Sequence, residues 1–119
     1  MKKLIILLFI INFIHAESFI TDMEYGKMLY KNPRGIGCHK CHGLKGEGMV
    51  IASYKEFNKT SEEKIDKKLI APRINNLNPQ QLADGITSKK RSVMPSYFLT
   101  KDEIIVIYKY LKQSKKIIK

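Results

Sequence analysis

Two thiols and an imidazole stand together in Cys38-His39-Lys40-Cys41-His42, a C-x-x-C-H pentapeptide. Thiols at this spacing can add to the two vinyl groups of one porphyrin, and a histidine directly after the second thiol is then held beneath the iron as an axial ligand. The pattern is that of covalent haem attachment. The same C-x-x-C spacing serves zinc sites and dithiol redox centres. A structural zinc site wants four ligands, yet the chain has only these two cysteines and three histidines, His15, His39 and His42, of which His15 falls in an apolar leader. A thioredoxin-like centre would sit between a strand and a helix, whereas here Gly35 and Gly37 precede the motif and Gly43, Gly46 and Gly48 follow it. Gly43, Gly46 and Gly48 let the chain turn tightly beside a flat cofactor. His39, inside the motif, reads as a spacer pointing to solvent.

Helices must position these groups, and their starts are legible. Thr21-x-x-Glu24 and Thr100-x-x-Glu103 have capping-box form, in which hydroxyl and carboxylate satisfy orphan backbone donors reciprocally. The first predicts a helix over 22–31 that stops before Pro33. The second predicts one over 101–113, with Ile104, Ile105, Ile107, Tyr108 and Leu111 at helical spacing. Thr60-x-x-Glu63 predicts a shorter helix ending before Pro72, and Asn78-Pro79-Gln80-Gln81 another with proline in its first turn. The fold class read from this pattern is all-α, with loops between.

Lys2-Lys3 followed by the apolar run 4–14 and His15-Ala16-Glu17 has the form of a secretory signal peptide over 1–16. The run is 11 residues with Asn12 inside it, against the roughly 20 that a membrane-spanning helix needs. An uncleaved anchor is the alternative. Residues 17–119 then form one small domain, whose own apolar core is marginal and is completed by the cofactor. The formal charge is +11, with 22 basic and 11 acidic side chains. Without Lys2 and Lys3 the mature chain is near +9, and two haem propionates bring it to about +7. Such a surface suits acidic partners. Nucleic-acid binding is a poor reading, since no recognition motif accompanies the charge.

The order Gly26-x-x-Leu29-Tyr30, Cys38 to His42, Gly43, Gly46, Gly48, Met94-Pro95 and a last helix ending Ile107-Tyr108-Lys109-Tyr110-Leu111 resembles a class I c-type cytochrome, monohaem and bacterial. The resemblance covers nearly all of the mature chain except 49–69, a stretch longer than in the simplest members. It implies a small cytochrome c fold in which the first and last helices cross at Gly26, with Tyr30 packing near Ile107 and Tyr110. It implies one haem c bound through Cys38 and Cys41, with His42 as proximal and Met94 as distal iron ligand; Met49 is the reserve for the latter. A proline carbonyl after the motif should orient the proximal ring, and Pro72 is the match. Haem attachment outside the cytoplasm fits the leader and implies a periplasmic protein.

The expected function is that of an electron carrier cycling Fe(III) and Fe(II), not an enzyme, and a monomer. The family implies a quinol-oxidising complex or dehydrogenase as donor and a terminal oxidase or peroxidase as acceptor. Lys40, Lys45, Lys89, Lys90 and Arg91 could steer such acidic partners to the haem edge, and Lys112, Lys115, Lys116 and Lys119 could touch anionic lipid weakly. The alternatives are a gas sensor or peroxidase-like enzyme with an open sixth position, and a fixed haem subunit of a respiratory complex.

Overall fold

The computed structural model describes residues 19–90 and 93–117. The leader at 1–16, with Arg91 and Lys119, lies outside them. Side-chain caps open three of the helices. Thr21 and Glu24 form a complete capping box at the start of α1 (Asp22–Lys31), and Thr100 and Glu103 form another at the start of the last helix. Between α1 and the strands lies one short turn of helix, α2 (His39–His42). After the strands, α3 (Pro79–Thr87) starts from Asn78, whose side chain and that of Gln81 cap it reciprocally, with Pro79 at a position where the missing N–H costs nothing. The last helix, α4 (Lys101–Lys116), runs three residues beyond the expected 113.

The apolar faces of α1 and α4 pack on each other at Gly26. A Cβ there would collide with the Val106 carbonyl oxygen and stand 2.7 Å from its carbon, so only glycine lets the two backbones approach this closely. Beside the crossing, the rings of Tyr30 and Tyr110 lie 5.4 Å apart at 45°, a tilted aromatic pair. Leu29, Leu82, Ile86, Ile104, Ile107 and Leu111 complete the core, which α3 closes. The expected crossing of first and last helices is therefore present.

The all-α expectation needs correction. Residues 49–69 and the two after them form an antiparallel hairpin, β1 (Met49–Asn58) and β2 (Glu63–Ala71), and the helix expected after Thr60 does not exist. Thr60 instead donates its backbone N–H to Asn58 Oδ1 at 2.9 Å, closing the turn, and Glu62 takes a left-handed backbone at φ 52°. β-branched and aromatic residues (Val50, Ile51, Tyr54, Phe57, Ile65, Ile70) favour strands, and Lys55 lies directly opposite Asp66, with 3.7 Å between charges. Glu56 and Lys67 pair on the other face.

Gly26→Ala should lower stability by about 1–3 kcal/mol through overpacking, read as a lower urea midpoint at unchanged slope. An unchanged midpoint would show that the helices part without cost.

Candidate functional site

The cysteine-histidine segment is fixed from both ends. Its entry is set by Cys38 N–H donating to the Tyr30 carbonyl at 2.9 Å, and its single turn by His42 N–H donating to the Cys38 carbonyl at 2.8 Å. Its exit is held by the core tyrosines: the Tyr30 hydroxyl donates to the Gly43 carbonyl at 2.7 Å, and the Tyr110 hydroxyl to the Leu44 carbonyl at 3.0 Å. Gly46 has φ 71° and abuts Leu111, and its carbonyl accepts from Ile74 N–H at 2.9 Å and Asn75 N–H at 3.2 Å. The buried Asn75 side chain donates to the Lys45 carbonyl at 3.0 Å. The loop after the motif and the segment after β2 are thereby stapled together.

That staple places Pro72 against His42. The imidazole is only 7% exposed, and its Nδ1 lies 2.8 Å from the Pro72 carbonyl oxygen. A carbonyl can only accept, so Nδ1 carries the proton and Nε2 is left with a lone pair able to take a metal. His42, Cys38 and Cys41 line one cavity of about 310 Å³, together with Val93, Met94, Pro95 and Tyr97 from the stretch before α4. Ile51, Leu69, Ile70 and Ala71 at the foot of the hairpin form another wall, with Gly37 and Pro72 beside His42. Ile51 is the extra residue of a β-bulge between Val50 and Ala52, a device that re-aims a side chain. Met49 opens β1, 44% exposed, and is not among the cavity residues.

Burial pushes the Cys38 thiol up to about 11, opposite to the depressed value of a dithiol redox centre. His39 departs from the solvent-pointing spacer expected of it: its ring packs against Gly37, and its Nδ1 is buried without a hydrogen-bond partner. Lys40, Lys89 and Lys90 are exposed and Lys45 half-buried, all outside the cavity lining. Sequence reasoning missed Ile51, Leu69, Ile70 and Tyr97. The apolar pair before Ala71-Pro72 was the available signal for the wall; Tyr97 had none beyond its nearness to Met94.

The family model for cytochrome c matches residues 23–115. The chain belongs to the cytochrome c family, whose members carry covalently attached haem and transfer electrons. No significant match was found among curated proteins or among solved structures. The residues present fit that group: two thiols, an imidazole with one nitrogen reserved by a carbonyl, and a thioether converge on an apolar cavity. Among the described residues no helix is long and apolar enough to cross a membrane.

Glu103, at the start of α4, holds the stretch behind Met94. Its carboxyl is held down at about 2, chiefly by the Arg34 guanidinium and then by Thr100 N–H and the Tyr25 hydroxyl. A carboxyl depressed in the folded state stabilises fully above its unfolded value near 4.5, and that contribution is lost as pH falls toward 2. The stability difference between wild type and Glu103→Gln should therefore be constant above about pH 5 and shrink below it. Parallel acid denaturation curves would contradict this.

Proposed function

We propose that this chain is an exported monohaem electron carrier, made with a signal peptide over 1–16 and acting in the periplasm as the domain 17–119. Cys38 and Cys41 would hold one haem c by thioether bonds, and His42 and Met94 would supply the two axial donors. The observation that carries this reading is the 2.8 Å contact of His42 Nδ1 with the Pro72 carbonyl, inside a cavity that also takes in both cysteines and Met94. When bound, haem supplies a one-electron couple between ferric and ferrous iron.

The residues of the chain set the terms of that couple. His42, with its ring direction fixed by Pro72, would offer its Nε2 to the iron. Met94 offers a soft thioether, which favours the ferrous state and raises the potential. Ile51, Leu69 and Val93 keep the surroundings apolar. Were His42 and Met94 both bound to the iron, no position on it would remain for a substrate, and this favours a carrier over an enzyme. The exposed Lys40, Lys89 and Lys90 suit an acidic-surfaced partner, a quinol-oxidising complex on one side and an oxidase or peroxidase on the other, met by a monomer. Contact with anionic lipid through the α4 lysines would be weak.

Optical spectra of the protein, produced with haem-attachment machinery, test this with and without carbon monoxide. A low-spin spectrum that ignores carbon monoxide is expected for wild type. His42→Ala should yield no stable holoprotein, and Met94→Ala should retain haem, lower the potential and bind carbon monoxide. Ready binding by the wild type would favour the sensor or enzyme reading instead.

A further inference from the structure

The stretch 93–100 that carries Met94 has no helix or strand of its own. Val93 and Phe98 are 67% and 92% exposed, so burial does not anchor its outer face. Its inner side chains Tyr97 and Leu99 pack against the core, and two residues on the loop just before the cysteine motif add hydrogen bonds to it. The Tyr97 hydroxyl donates to the Ile36 carbonyl at 2.6 Å, and Arg34 Nη2 donates to the Phe98 carbonyl at 2.8 Å. Arg34 is itself fixed by a two-pronged pair with Glu103, at 2.9 and 2.8 Å, and the Glu103 side chain is only 11% exposed. Forked pairs of this kind are the geometrically specific ones.

The backbone of Arg34 adds a second observation. Its φ is 62°, a left-handed conformation that strains a residue with a Cβ and suits glycine. An arginine stands where glycine would fit best, and its guanidinium is what reaches Phe98 and Glu103.

We propose that Tyr97 and Arg34 form a two-point clasp that keeps Met94 at its axial position, and so control how often the sixth coordination site opens. Both are positioning residues: neither is assigned to the iron. This rests on Met94 as the distal ligand. Releasing either point frees the Met94 stretch to swing out while the cysteines and His42, held by separate bonds to Tyr30, Gly48 and Pro72, stay in place.

The test uses the holoprotein carrying Tyr97→Phe, Arg34→Gly, Met94→Ala, and Tyr97→Phe combined with Met94→Ala. Arg34→Gly removes the guanidinium while suiting the left-handed backbone. The readouts are the carbon monoxide association rate of the ferrous protein and the sulfur-to-iron charge-transfer absorption of the ferric protein. Each clasp variant should associate roughly 2- to 10-fold faster, the worth of one net hydrogen bond, with a weakened charge-transfer band. Tyr97→Phe should have no further effect once Met94 is already alanine. If Met94→Ala opens the iron but neither clasp variant speeds association, the clasp is overturned. It is equally overturned if Tyr97→Phe acts as strongly in the Met94→Ala background. A wild-type spectrum and rate in Met94→Ala itself would instead overturn the ligand assignment on which the clasp rests.

Discussion

The His42 imidazole can present only one nitrogen to the cavity, because the other is tied at 2.8 Å to the Pro72 carbonyl. Much of the structure serves that constraint. Pro72 is held because the Gly46 carbonyl takes the N–H groups of Ile74 and Asn75, and Gly46 is held because Leu111 packs against it. The loop carrying Gly43 and Leu44 is gripped by hydroxyls of Tyr30 and Tyr110, and those rings meet because α1 and α4 cross at Gly26. A missing Cβ on α1 and the direction of one imidazole are thus linked through packed side chains and backbone hydrogen bonds.

The hairpin gives the site a wall that helices alone do not supply. Only its foot takes part: Ile51, Leu69, Ile70 and Ala71 line the cavity, while Tyr54, Phe57 and Ile65 further out are 49%, 57% and 41% exposed. Two strands alone are marginal in water, and this pair is helped by charges facing across the strands, Lys55 with Asp66 and Lys67 with Glu56. Its anchorage at Ala71 leads directly to Pro72, so wall and imidazole are positioned by one continuous piece of chain.

The parts legible in the sequence are those with local physical rules. Capping boxes gave α1 and α4 their starts, C-x-x-C-H gave the ligand cluster, and the order of Gly26, Tyr30 and Tyr110 gave the crossing. The hairpin was not legible because both of its faces are largely exposed, so no apolar alternation marks it, and Thr60-x-x-Glu63 mimics a cap. Ile65 and Leu69, four apart, also fit a helix. The wall and the Arg34–Glu103 pair depend on contacts between residues far apart in the chain, which local pattern does not encode. The buried side of His39 likewise follows only once the α2 turn is placed.

Whether Cys38 and Cys41 carry one haem is tested most directly by the intact mass of the purified protein under denaturing conditions, after extraction with acidified organic solvent. The chain should keep the mass of a single haem through that treatment, and lose it when both cysteines are replaced by alanine. Haem that leaves into the solvent, with a bare chain remaining, would show that the two cysteines do not hold it covalently.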